Sequence, residues 1–127
     1  MSVTALDFYT FAKRIADSAA GEIDHRNAIS RVYYAAYHEC PSRLSKLDAS
    51  FRAEQGHSEF CGQLMRSPAR DPKRALGVAL NFLRQHRNVA DYALQGRSFN
   101  ATDTKTAFGA YDNVIKLLAS VAPEKGK

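Results

Sequence analysis

Residues 26–40, RNAISRVYYAAYHEC, decide the fold that the sequence predicts. Their apolar side chains recur at intervals of three and four residues, as they do on one face of a helix. That face carries Ala28, Ile29, Val32 and Ala36, with Tyr33 and Tyr37 alongside. We therefore predict a helix that begins near Asp24, as its N-cap, and runs to Glu39, with Pro41 enforcing its end.

Helical spacing continues on both sides of this stretch, with no strand alternation and no internal repeat. The predicted helices span residues 4–19, 24–39, 57–67 and 72–92, with a last helix capped by Thr102 or Asp103. Residues 41–56 leave room for a short helix, residues 93–101 form a predicted loop, and residues 123–127 a flexible tail. This pattern predicts an all-α fold, an up-and-down antiparallel bundle of about five helices in one domain over residues 1–127.

Composition indicates a soluble globular domain, since 45% of the 127 residues are hydrophobic and 24% are charged. No apolar stretch approaches the roughly 20 residues that cross a bilayer. The N-terminal residues also lack the basic and then apolar pattern of a secretory signal. The two cysteines, Cys40 and Cys61, have no metal-ligand spacing, and we expect both to be reduced in a cytoplasmic protein. There is no glycine-rich phosphate loop, so we do not expect ATP hydrolysis by a P-loop route. We also expect no cofactor.

Positive charge is concentrated in one segment of the chain. Between Arg66 and Arg97 seven basic residues face only Asp71 and Asp91, a net charge of +5 that equals the net charge of the whole chain. A basic stripe of this kind attracts polyanions such as nucleic acids. It is equally typical of an ordinary solvated surface, so the charge alone does not decide between the two.

Two of the predicted helices carry polar residues at spacings that core packing does not require. The first line contains Asn27, Arg31, Tyr34 and His38. The second line contains Arg84, Arg87, Asn88 and Asp91, with Tyr92 following. Side chains three or four residues apart are neighbours on a helix, so each set forms one polar stripe.

The segments RVYYAAYH (residues 31–38) and RNVADY (residues 87–92) resemble the two signature segments of one branch of the HEPN family. The resemblance implies a helical bundle that pairs into a homodimer, often with the motif helices at a shared cleft. It also implies RNA cleavage in a toxin–antitoxin or phage-defence system, or nucleotide binding beside a nucleotidyltransferase. An antitoxin or a nucleotidyltransferase is then an expected partner.

The resemblance also points to particular residues. Ribonucleases of the family carry an arginine, four to six residues and then a histidine, often with an asparagine after the arginine. Residues 87–88, Arg-Asn, match the start of that pattern, but Asp91 or Tyr92 occupies the position of the histidine. Arg31 and His38, with six residues between them, satisfy the spacing in the earlier helix.

RNA cleavage without a metal uses the 2′-hydroxyl as nucleophile, and it needs a proton-transfer group of near-neutral pKa and a cation for the phosphate. Histidine and arginine are suited to these two tasks. The candidate catalytic residues are Arg31, His38, Arg87 and Asp91, the last orienting His38 or holding Arg31. The candidate substrate-binding residues are Asn27, Tyr34, Arg84, Asn88 and Tyr92, of which the tyrosines donate to a phosphate or stack on a base.

Other interpretations fit the same residues. In one, they form an internal polar network in which Asp91 pairs with Arg31 and His38 bonds a backbone carbonyl or a tyrosine hydroxyl, since buried charges persist only when paired. In another, the domain is a catalytically inactive module that binds nucleotide, RNA or a partner protein, or a structural protein whose function is its dimer face. His25 and His57 lie near predicted helix starts, and we assign both to the surface.

Overall fold

The computed structural model describes residues 3–51, 56–95 and 97–122. Its helices are α1 (Ala5–Asp17), α2 (Glu22–Leu44), α3 (His57–Met65), α4 (Pro72–Tyr92) and α5 (Ala101–Val121). No strand occurs within these ranges, so the predicted all-α class with five helices is confirmed. The predicted tail at 123–127 lies outside the described residues. None of the described helices is both long and apolar enough to span a bilayer.

Helix α2 is the centre of the bundle, because it packs against α1, α4 and α5, while α3 packs on α4. The residues predicted to form its inner face are all buried: Ala28, Ile29, Val32, Tyr33, Ala36 and Tyr37. Tyr33 and Tyr37 are the two largest of the fully buried side chains. The polar line of α2 therefore lies next to the buried face, close to the helices that pack against α2.

Pro41 does not end α2, so the predicted boundary at Glu39 was wrong. The helix continues to Leu44, and the Pro41 carbonyl accepts a hydrogen bond from the Ser45 N–H at 3.0 Å. A proline inside a helix costs about 3 kcal/mol, because it removes one N–H and crowds the preceding turn. Pro41 and Leu44 are both buried. Burying a leucine side chain stabilises by roughly 1.5–3 kcal/mol, which offsets much of that penalty.

The predicted start of α4 at Pro72 and its end at Tyr92 are confirmed, but two predicted caps were wrong. The N-cap of α2 is Gly21, and the Asp24 carboxylate accepts from the Ala20 N–H at 2.9 Å. The N-cap of α5 is Asn100, whose side chain accepts from two N–H groups of the first turn. In both helices an acidic residue in the third position reaches back to a backbone N–H, a role easily mistaken for the cap itself.

Helices α3 and α4 approach most closely at Gly77. A Cβ placed on Gly77 would lie 2.7 Å from the Leu64 Cβ and 2.8 Å from the Met65 nitrogen, closer than real Cβ atoms come to such neighbours. Only glycine allows this spacing without a shift of the backbone. The close approach holds α3, with His57 at its first turn, against α2 and α4.

Replacing Gly77 with alanine should lower the free energy of unfolding by about 1–2 kcal/mol. Overpacking costs about 1–3 kcal/mol, which exceeds the roughly 1 kcal/mol that alanine gains over glycine in a helix. The matched control is Gly109→Ala in α5, where no atom lies within 4 Å of the new Cβ. That variant should be more stable than wild type by up to about 1 kcal/mol. Urea denaturation measures both, and stabilisation by Gly77→Ala would contradict the close approach.

Candidate functional site

Several predicted site residues meet around the ring of Tyr34, on the side of α2 that faces α4. The guanidinium carbon of Arg31 lies 5.3 Å from the centre of that ring, and that of Arg87 lies 5.5 Å from it. The His38 ring is stacked at 6.2 Å from it, with 23° between the planes. Two helices thus bring two cations and one imidazole to a single aromatic ring. We call the residues Arg31, Tyr33, Tyr34, His38, His57 and Arg87 the Tyr34 cluster.

Arg87 is the most buried cation of this group, with only 8% of its surface exposed. Its guanidinium carbon lies 4.9 Å from the centre of the Tyr33 ring. Nη1 donates to Asp91 Oδ2 over a long 3.4 Å, and the buried Nε has no hydrogen-bond partner among the described residues. An arginine offers five N–H donors, and a buried one normally uses most of them. Arg87 is therefore held in place by aromatic rings more than by hydrogen bonds.

Asp91 belongs to Arg87 and Ser30 rather than to Arg31 or His38. Its Oδ2 accepts from the Ser30 hydroxyl at 3.1 Å as well as from Arg87. Arg31 makes no hydrogen bond or ion pair with any described residue. The described residues thus contain a polar network of Ser30, Asp91 and Arg87 instead of the predicted pairing of Asp91 with Arg31, and this network leaves the Arg31 guanidinium outside.

His38 is packed between aromatic rings contributed by α1 and α2. It stacks on Phe8 at 5.4 Å with 15° between the planes, and it meets Tyr37 edge-on at 5.4 Å. Burial lowers the pKa of the His38 imidazole below its ordinary value, because the charged form loses hydration there. The ring consequently releases its proton at a lower pH than a free imidazole does.

The structure adds His57 to the group, although the sequence had assigned this residue to the surface. Its Nδ1 lies 2.6 Å from the Tyr33 hydroxyl, and its ring stacks on Tyr37 at 3.8 Å. Burial lowers the pKa of the His57 imidazole, and the charges of Arg87, His38 and Arg84 lower it further. No spacing could have indicated this, because His57 lies on a third helix, outside both polar lines.

The remaining predicted site residues lie at the margin of the cluster or away from it. Arg84 lies near Cys61 of α3, where its charge acts to lower the pKa of that thiol, and its Nε donates to Asn81 at 3.0 Å. Asn88 is half-buried, and Asn27 is exposed. Tyr92 is 74% exposed, and its ring contacts none of the Tyr34 cluster among the described residues. The structure thus brings together Arg31, Tyr34, His38 and Arg87, with Asp91 attached through Arg87.

Both cysteines are free and buried, and both belong to the hydrophobic core. Burial raises the pKa of the Cys61 thiol to about 11, although the neighbouring Arg84 acts in the opposite direction. The thiol therefore stays protonated at neutral pH and is a poor nucleophile. Among the described residues no three His, Cys, Asp or Glu side chains come close enough to hold a metal ion together.

Arg26, which lies on α2, is a second buried arginine, and it fixes the position of α4 relative to the cluster. Its guanidinium donates to the carbonyls of Ala90 and Arg97, each at 2.8 Å, and to Glu22 at 2.9 Å. It also lies 4.6 Å from the centre of the Phe99 ring. These bonds tie the last turn of α4 to the start of α2, one helical turn from Arg87. Arg26 is thus a structural residue whose donors are used.

The basic segment between Arg66 and Arg97 is not a continuous positive surface. Four of its seven basic residues form ion pairs: Arg66 with Glu59, Lys73 with Asp71, Arg87 with Asp91, and Arg97 with Asp103. These pairs reduce the charge that a distant polyanion would experience. The charge count of the segment therefore overstates the unpaired positive charge at its surface.

Comparisons of the chain with models of protein families, with curated proteins and with solved structures find no match. The fold and the site together define an all-α domain whose central helix carries a half-buried cluster of arginine, histidine and tyrosine side chains.

Stability should fall as the pH is lowered below about 6.5. His38 and His57 both have lowered pKa values in the folded protein, so the unfolded chain takes up protons first. Above about pH 6.5 the rings are neutral in both states and their full contribution is present. Urea unfolding at about pH 7.5 and about pH 5 measures the loss.

The variant His57→Gln provides the control for this pH dependence. It removes one of the two titrating rings while keeping a polar partner for the Tyr33 hydroxyl. Its stability should fall less than that of wild type over the same pH interval. An equal or larger fall in the variant would show that the His57 ring is not held in its neutral form.

Proposed function

We propose that this chain is a HEPN-like domain that binds RNA at the Tyr34 cluster and cleaves it without a metal ion, as in a toxin–antitoxin or phage-defence system. One observation carries the proposal. Arg31 and Arg87 both lie against the Tyr34 ring, and with the described residues they make a single long ion pair, between Arg87 and Asp91. Cations gathered at a partly exposed site with most donors unused are suited to bind an anion.

A phosphate of the RNA backbone fits these donors. A guanidinium offers a planar fork of N–H groups that matches two phosphate oxygens, and charge-assisted bonds of this type are the strong ones. Arg31 supplies a whole fork, while Arg87 supplies Nη2, because Nη1 bonds to Asp91 and Nε is buried. Tyr34 lies next to both, so its ring or its hydroxyl meets the nucleotide on either side of the phosphate.

His38 supplies the proton transfer. Its imidazole, whose pKa is lowered by burial, lies beside the same tyrosine ring as the two arginines. A positioned acid or base contributes typically 10²–10⁴-fold to a rate. Two guanidinium groups stabilise the negative charge that develops on the phosphorane in the transition state.

A binding function without cleavage is the second candidate, and Asp91 favours it. The carboxylate lies 3.4 Å from Arg87 and places a negative charge next to the proposed phosphate site. It also stands at a position where the family's ribonucleases carry histidine. A domain that binds nucleotide, RNA or a partner protein at this cluster needs the arginines but no proton transfer. The homodimer and the antitoxin or nucleotidyltransferase partner remain predictions of the resemblance.

Purified protein should cleave single-stranded RNA in the presence of EDTA. His38→Ala should reduce the rate by at least about 100-fold, because proton transfer at this step is lost. Arg31→Ala should weaken RNA binding and reduce its salt dependence, since one phosphate contact disappears. The matched control is His86→Ala, whose ring faces Phe82 and Phe99 rather than the cluster. Gel analysis of end-labelled RNA measures cleavage.

Three results separate the candidates. Cleavage that His38→Ala abolishes and His86→Ala preserves supports the ribonuclease. Intact RNA together with salt-dependent binding that Arg31→Ala weakens contradicts cleavage and supports the binding module. An absence of RNA and nucleotide binding at low salt would overturn both.

A further inference from the structure

His57 is the member of the Tyr34 cluster that comes from α3, and the proposed function does not yet include a role for it. Its Nδ1 is held by the Tyr33 hydroxyl at 2.6 Å, and its ring is stacked on Tyr37 at 3.8 Å. It also lies 6.0 Å from the Tyr34 ring, edge-on at 86°. An imidazole fixed by one hydrogen bond and a stacking contact has a defined orientation, which proton transfer requires.

The second ring nitrogen of His57, Nε2, makes no hydrogen bond to a described residue, and the ring is partly exposed. A neutral imidazole with its proton on Nδ1 donates to the Tyr33 oxygen and keeps a lone pair on Nε2. Burial raises the pKa of the Tyr33 phenol, so its oxygen stays a neutral hydroxyl that can accept this bond. In this tautomer Nδ1 of His57 is held by the Tyr33 hydroxyl, and Nε2 can accept a proton.

His38 and His57 form a pair. Both contact the Tyr37 ring, with centres 5.4 Å and 3.8 Å from it, and both lie near Tyr34. They come from α2 and α3, so neither polar line of the sequence contains both. Two imidazoles that contact the same tyrosine ring can provide both proton transfers that RNA cleavage needs.

We infer that His57 is the general base and His38 the general acid of RNA cleavage at the Tyr34 cluster. This inference rests on the proposed ribonuclease function and adds to it a catalytic residue from α3.

The charges around the two rings assign the roles. The titratable and charged groups that face His57 are Tyr33, Tyr37 and His38 from α2, Arg84 and Arg87 from α4, and Cys61 from its own helix. The two arginine cations oppose a proton on His57, so this ring is the better acceptor. For His38 the lowered pKa has burial as its cause, with no arginine charge acting on the ring, so we give His38 the role of the acid.

The reaction balances with these groups alone. Nε2 of His57 takes the proton of the 2′-hydroxyl, whose oxygen then bonds to the phosphorus. The P–O5′ bond breaks, and the 5′ oxygen receives the proton carried by the imidazolium form of His38, which becomes the neutral imidazole. The products are a 2′,3′-cyclic phosphate and a 5′-hydroxyl, and exchange with water restores both imidazoles.

The test is the pH dependence of kcat/KM for wild type, His57→Gln and His38→Gln. Wild type should give a bell-shaped profile, in which the acidic limb reports the base and the alkaline limb reports the acid. His57→Gln should lower the rate by about 10²–10⁴-fold and lose the acidic limb. His38→Gln should lose the alkaline limb. Glutamine keeps a partner for the Tyr33 hydroxyl, and circular dichroism checks that each variant is folded.

Imidazole rescue supplies a second readout that a structural role would not produce. Added imidazole should restore part of the activity of His57→Ala. Wild-type activity with an unchanged profile in His57→Gln would overturn the inference and leave the proposed ribonuclease intact. Loss of the alkaline limb in His57→Gln would overturn the assignment of roles. If wild type itself leaves RNA intact, both the inference and the ribonuclease fail.

Discussion

The placement of the Arg87 guanidinium against the tyrosine rings of α2 is the contact on which the rest of the site depends. It brings the polar line of α4 onto the polar line of α2, so that Arg87 and Arg31 share one aromatic ring. The contact is held in register by Arg26, which bonds the last turn of α4 one helical turn away. Without this crossing, the two lines would be separate solvated edges of a bundle.

The two buried arginines of this interface differ in how well they are satisfied. Arg26 uses its donors on carbonyls and a carboxylate at 2.8–2.9 Å. Arg87 has one bond at 3.4 Å and a buried Nε without a described partner. A buried donor left unsatisfied costs roughly 1–3 kcal/mol, so folding alone gives little reason to keep arginine at position 87. An anionic ligand that uses the remaining donors would supply that reason.

The sequence predicted the part of this arrangement that follows from periodicity. The inner face of α2 and the limits of α4 could be read directly, because apolar spacing reports which side of a helix is buried. The polar lines could be read for the same reason. His57 could not, since its position depends on the close approach of α3 at Gly77, a tertiary contact that leaves no mark in local spacing. The end of α2 was predicted wrongly at Pro41 for a related reason, because burial of Leu44, a tertiary contact, offsets much of the local penalty of the proline.

The role of Arg87 as a ligand-binding residue is tested most directly by the stability of Arg87→Met relative to wild type. Methionine keeps the length and the apolar stem of arginine but removes the poorly satisfied charge, and Asp91 retains its bond from Ser30. If Arg87 is present for a ligand, the variant should be as stable as wild type or more stable in urea, and it should lose RNA binding. A loss of about 3 kcal/mol or more would contradict the account, because it would show that the guanidinium is a structural residue of the core.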